Sequence, residues 1–230
     1  MNILALDTCT EMCSVALLSQ GKTYEQSVIT QRGHSEKILG MLDTILKEAD
    51  CLLRDIDFIA FGRGPGSFTG VRVCVGVAQG IAFANKTPVI PISTLAAVAQ
   101  RGIDEHGASI MAVAMDARMK EAYCGVYKNH NGLAQLDGSE KVSSPEAFTL
   151  DDKQQYQALG TAWHEYTNEF KKHLAVDLVD SAIHLLPTAA AMLKLAIPMA
   201  EAKQAIPADQ AVPVYLRDNV AKKKGEQQRA

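Results

Sequence analysis

Two aspartates and one glycine-rich segment are the places where residue type and spacing in this sequence could do chemistry. Asp7 ends the run Ala5-Leu6-Asp7, and Asp116 ends the run Ala114-Met115-Asp116, each directly before a turn. A carboxylate there can position a metal–phosphate group, and aspartate is also an ordinary turn former. Arg118 and Glu121 follow Asp116, so charge pairing within the turn is available to it. The segment Gly62-Arg63-Gly64-Pro65-Gly66-Ser67-Phe68-Thr69-Gly70-Val71-Arg72 falls between a predicted strand and a predicted helix. Glycines allow close backbone approach, and the free N–H groups of a helix N-terminus can hold an anion. The Gly-Lys-Ser/Thr ending of a P-loop is missing, and Ser67 does not sit in G-x-S-x-G. A structural turn is the simpler reading.

Metal and nucleophile patterns add little. The six histidines (His34, His106, His130, His164, His173, His184) include no pair three or four apart, so no helical metal clamp can be drawn. The five cysteines are an odd number without a Cys-x-x-Cys pair, which argues against a disulfide framework and a zinc knuckle and fits a reducing compartment. The expectation is therefore no catalytic, cofactor-binding or metal-binding set of the chain's own.

The elements that must position these residues read as follows. Strands are predicted over Asn2–Asp7, Cys13–Ser19 and Thr23–Ile29, a helix over His34–Ala49, a strand over Ile56–Phe61, and a tight turn over Gly62–Gly66. A helix over Ser67–Ala84, a strand over Pro88–Ile92 and a helix from Ser93 follow. That order is the order of a ribonuclease-H-like lobe. The strand-Asp-turn-strand unit at Asp7 recurs at Asp116, continuing into Cys124-Gly125-Val126-Tyr127, which predicts a duplicated lobe with a boundary near Gly102 to Ala108. Further along, loops are expected at Asn129–Gly138 and Ser143–Pro145, and a helix near Thr188–Gln204 interrupted at Pro198.

The Ser67–Ala84 helix is apolar nearly all round. One face carries Val71, Cys74, Val75, Ala78 and Ala82, and another carries Val73, Gly76, Val77, Gly80 and Ala84, so the helix must be covered on more than one side. The first face suits the sheet. Gly76 and Gly80 let a second helix approach the other face, and the simpler expectation is that the chain's own His34–Ala49 helix does so; the alternative is a helix of a partner subunit.

Hydrophobic residues make up 47% and charged residues 21% of the 230 residues, with a net charge of −3. These values describe an ordinary globular chain without the positive field of an autonomous nucleic-acid binder. Lys222, Lys223, Lys224 and Arg229 form a basic C-terminal tail, read first as a solvated end and second as an RNA contact. No apolar run approaches a membrane span and no leader is evident, so the expected localisation is cytoplasmic.

Taken with the opening Ile3-Leu4-Ala5-Leu6-Asp7-Thr8, the Gly62–Arg72 segment, Met115-Asp116-Ala117-Arg118 with Glu121 and Tyr123, and Pro213-Val214-Tyr215-Leu216-Arg217-Asp218-Asn219-Val220-Ala221, the sequence resembles the TsaB (YeaZ) family. The resemblance spans nearly the whole chain. It implies an α/β, actin-like (sugar kinase/heat-shock/actin superfamily) fold of two ribonuclease-H-like lobes, with mixed sheets flanked by helices. The lobes would be residues 1–105, with the partner-binding helices, and the smaller 106–230, with the basic tail.

It also implies a non-catalytic subunit of the machinery that places threonylcarbamoyl-adenosine in tRNA. Such a subunit is a homodimer when alone and pairs with the catalytic relative TsaD. The TsaE ATPase joins that pair and TsaC supplies threonylcarbamoyl-adenylate, while tRNA is met only through the complex and ATP or ADP at a subunit interface. The catalytic relative's metal-binding His-x-x-x-His corresponds here to Thr94 and Val98, neither of which ligates as imidazole does. The expected partner surface is Met41, Ile45, Thr69, Val73, Gly76, Val77, Gly80 and Ala84. The alternative is an actin-fold ATPase, a kinase or a metallopeptidase-like enzyme acting alone.

Overall fold

A computed structural model describes residues 1–174, 178–182 and 184–217, without the side chains of residues 173 and 178–182. The basic tail at 222–229 lies outside the described residues.

The described residues form two five-stranded sheets. The first is built from β1 (Ile3–Asp7), β2 (Met12–Ser19), β3 (Lys22–Ile29), β4 (Phe58–Gly62) and β5 (Val89–Ile92) in the order β3-β2-β1-β4-β5. Its helices are α1 (His34–Glu48), α2 (Phe68–Asn85) and α3 (Thr94–His106). The second sheet is built from β6 (Ile110–Asp116), β7 (Ala122–His130), β8 (Leu133–Ser143), β9 (Tyr156–Leu159) and β10 (Leu178–Ala182), in the order β10-β9-β6-β7-β8. Short helices α4 (Ala162–Glu165) and α5 (Thr167–His173) and the longer α6 (Ala189–Glu201) follow among the described residues. In both sheets an antiparallel hairpin pair is followed by parallel strands. The two sheets thus share one topology, the α/β actin-like arrangement of paired ribonuclease-H-like lobes.

β1 is buried along its whole length because it is central and covered on both faces. Successive side chains of a strand point to opposite faces, and Leu4 and Leu6 accordingly meet the α1/α2 layer while Ile3 and Ala5 meet α6. Small residues from both sides, Ala5, Ala16 and Ala60 on the sheet and Ala189, Ala196 and Ala200 on the helix, fill that second interface.

α6 therefore covers the first sheet, although it follows the second in sequence. Conversely α3 packs through Leu95, Val98, Ala99 and Ile103 onto Met111, Val113 and Leu159 of the second sheet. The division near residue 105 separates the two sheets, but the covering helices cross it. Each lobe's core is completed by chain from the other half.

Two local expectations are corrected. The stretch expected to loop at Asn129–Gly138 is mostly hairpin: β7 runs to His130, Asn131 and Gly132 turn with φ 53° and 85°, and β8 starts at Leu133. Asn-Gly with both φ positive is the tight hairpin turn whose twist matches its strands. The last helix is not broken at Pro198 but continues to Glu201, with Ala202 N–H donating to the Pro198 carbonyl at 2.9 Å. One turn from a helix end, proline costs one backbone bond without ending the helix.

Candidate functional site

The β1–β2 turn and the glycine-rich segment are built against each other. A Cβ on Gly66 would fall 2.2 Å from the Cys9 carbonyl oxygen, and one on Gly70 would fall 2.1 Å from the Thr8 carbonyl oxygen. Ser67 N–H donates to the Cys9 carbonyl at 2.7 Å, and Thr8 Oγ1 donates to the Gly70 carbonyl at 2.7 Å. Ser67 Oγ caps α2 by accepting from Gly70 N–H at 3.0 Å. Two N–H groups at this helix N-terminus, those of Ser67 and Gly70, are therefore already engaged. These contacts support the reading of the segment as a structural turn, with glycine required wherever backbone meets backbone.

Behind the turn lies Asp7, fully buried. Its Oδ1 accepts from Cys9 N–H at 3.1 Å, while Oδ2 has no hydrogen-bond partner. Burial pushes its pKa up to about 6, partly offset by the Cys9 thiol and by the backbone N–H groups of Cys9 and Thr8.

A cleft of about 910 Å³ opens between the lobes, and its lining includes Glu11, His34, Phe68, Asp116, His164 and Arg217. Asp116 faces it with both oxygens engaged: Oδ1 accepts from Tyr166 Oη and Arg118 N–H, each at 2.8 Å, and Oδ2 pairs with the Arg118 guanidinium at 3.0 Å. The local pairing expected for Asp116 is present. Burial, together with the adjoining Asp116 carboxylate, pushes the Tyr166 phenol well above its usual range.

The turn that follows holds Arg118, Met119 and Lys120 at φ 61°, 57° and 60°. Left-handed backbone costs roughly 1–2 kcal/mol at each non-glycine residue. Arg217 holds the turn in place, donating to the Ala117 and Arg118 carbonyls and to Glu121. The Pro213–Ala221 motif does not by itself reveal this clamp, because nothing local connects residues about a hundred positions apart.

A second network missed from sequence joins the lobes. Glu140 on β8 accepts from the Arg63 guanidinium at 3.1 Å, from the Tyr127 hydroxyl and from Ser93 Oγ, the residue that also caps α3. Backbone bonds from Thr94 N–H to Gly64 and from Val214 N–H to Arg63 add to it.

The residues expected at a partner surface divide into two groups. Met41 and Ile45 are buried in the first lobe's own core, because the sheet-facing stripe of α1 carries them inward. They offer no outward surface. On α2, Thr69, Gly76, Gly80 and Ala84 are exposed and Val73 and Val77 are half-buried. The expectation that α1 fills the groove at the glycines is corrected: a Cβ on Gly76 or Gly80 would meet no atom within 4 Å. Leu39 on α1 and Phe68 and Phe83 on α2 are exposed as well. The Arg72 guanidinium stacks 3.3 Å over the Phe68 ring, beside Tyr215. Thr94 and Val98 on α3 are fully buried. Among the described residues no helix is long and apolar enough to cross a membrane.

Comparison with known proteins places this architecture. Residues 22–225 match the TsaD family model, described as tRNA N6-adenosine threonylcarbamoyltransferase. The Escherichia coli (strain K12) tRNA threonylcarbamoyladenosine biosynthesis protein TsaB is 40% identical, over 97% of this chain and 98% of that protein. Its Haemophilus influenzae counterpart is 41% identical over 97% of each chain. The solved structure of YeaZ from Pseudomonas aeruginosa superposes with a TM-score of 0.87 at 43% identity, covering 94% of this chain and 99% of that one. With matching sequence along nearly its whole length and the same two-lobed fold, the chain belongs to the TsaB (YeaZ) family of tRNA threonylcarbamoyladenosine biosynthesis proteins.

Proposed function

We propose that this chain is the non-catalytic subunit that pairs with the catalytic threonylcarbamoyltransferase through the outward faces of α1 and α2. The observation that carries this reading is the open lane along α2. Gly76 and Gly80 lie exposed with nothing against them, flanked by half-buried Val73 and Val77 and by exposed Phe83. Glycine in the interior of an exposed helix costs about 1 kcal/mol relative to alanine, so two of them four apart make sense where another helix lies close. The similarity to the transferase family supports a partner of related shape. A face that is self-complementary between copies can accept a homologous subunit in place of one copy, which fits a homodimer alone and a heterodimer at work.

In this role TsaE joins the pair, tRNA is met through the complex, and any ATP or ADP is bound at a subunit interface. The engaged oxygens of Asp116 and the Ser67 cap on α2 favour this reading over an enzyme acting alone. Depletion of the chain in cells, followed by mass spectrometry of tRNA nucleosides, tests the pathway role. Nucleotide titration of the purified chain with and without the transferase tests the division of labour. Metal-dependent ATP turnover by the chain alone would overturn the reading.

A further inference from the structure

Cys9 on the β1–β2 turn and Cys74 on α2 stand far apart in sequence, yet the fold brings them to the same buried point as Asp7. One ligand atom from each of the three lies within 4.8 Å of the others, and all three residues are fully buried. Asp7 Oδ2 lacks any hydrogen-bond partner there. A buried carboxylate oxygen without a partner is costly, and proteins relieve it with a proton, a donor or a cation. Glycine at position 62 lets Asp7 and Cys9 pack directly against the backbone: a Cβ there would fall 2.0 Å from Asp7 Oδ1 and 2.9 Å from Cys9 Sγ. In the absence of an ion the Cys9 and Cys74 thiols donate to the carbonyl oxygens of Gly62 and Leu6 respectively, each at 3.3 Å.

We propose that Asp7, Cys9 and Cys74 form a buried structural site for a thiophilic divalent cation, Zn²⁺ by its donor chemistry. Two sulfurs and one carboxylate oxygen are donors that suit Zn²⁺ and not Mg²⁺ or Ca²⁺, which demand more oxygen ligands. Binding exchanges the two thiol protons for the ion: Zn²⁺ enters, two protons leave, and no redox step is needed. The ion would tie β1, its turn and α2 together behind the glycine-rich segment. Because no ligand is exposed, loading accompanies folding.

The test uses the full chain, freed of any metal-binding tag. Its zinc content is measured after purification, and the chain is then unfolded with chelator and refolded with Zn²⁺ or Co²⁺. Roughly one equivalent of zinc is expected, together with a thiolate-to-cobalt charge-transfer band on refolding with Co²⁺. Both should be lost in Cys74→Ala, and Asp7→Asn should weaken zinc binding at least about tenfold. Zinc below roughly a tenth of an equivalent with no cobalt band after refolding overturns the proposal. A band unchanged in both variants overturns it too, because the ion then sits elsewhere. The cobalt spectrum of the unaltered chain decides the question even if a variant fails to fold.

Discussion

Substituting leucine at Gly76 or Gly80 should separate the stability of the lone chain from its pairing. Both glycines are exposed in the interior of α2, their φ values are not positive, and an added Cβ meets no atom within 4 Å. In the isolated chain Gly→Leu therefore adds no clash and gains helix propensity of about 0.5–1 kcal/mol. At this chain length, 1 kcal/mol moves the melting temperature by about 2–4 °C. The lone chain should melt at the same temperature or slightly higher. In a complex whose partner helix lies along the glycines, the same side chain overpacks the contact by about 1–3 kcal/mol, weakening pairing roughly 5- to 150-fold. The assay is thermal melting at concentrations low enough to keep the chain monomeric, set beside titration of the transferase by calorimetry. Unchanged affinity in a folded Gly76→Leu, Gly80→Leu double variant would refute the assignment of this face. A marked fall in the lone chain's melting temperature would instead refute the open groove.

Other perturbations follow from the site. Gly66→Ala and Gly70→Ala each drive a methyl into a backbone carbonyl and should destabilise the chain by about 1–3 kcal/mol or more in denaturant titration. In metal-free protein, Asp7 has a folded pKa of about 6 against the ordinary 3.8. The folded state then binds more protons between those values, and the stability contribution present below pH 3.8 is lost as pH rises through about 6. Chelator-treated Asp7→Asn should accordingly be more stable than the parent by up to about 3 kcal/mol above that pH and lose the advantage near pH 4, as read from denaturation curves across pH. Glu140→Ala leaves the hydroxyl of Tyr127 and the guanidinium of Arg63 without their partner and should cost about 2 kcal/mol or more, with faster amide exchange where the lobes meet. Burial pushes the Cys124 thiol up to about 12, so maleimide at pH 8 should leave it unlabelled until the chain is unfolded.

Local pattern was enough for most of the first lobe. β1, β2, β4 and β5 are short apolar runs bounded by turns, and α1 and α2 carry the helical period with Ser67 as cap. These features depend on near neighbours in sequence, which is why they can be read there. The glycine-rich segment was also recognisable as a turn, since glycine spacing reports where backbone must approach backbone.

Only the tertiary structure decided what each face meets. Periodicity placed Met41 and Ile45 on α1 but did not distinguish its sheet-facing stripe from its outward one, and packing put both inside. It showed that Gly76 and Gly80 would let a second helix approach without saying that α1 stands clear of them. The exchange of α3 and α6 between the lobes, the Glu140 and Arg217 networks, and the meeting of Asp7 with Cys9 and Cys74 all join residues far apart along the chain. Such contacts are fixed by the way two twisted sheets pack with their helices, and no short window of sequence contains that geometry.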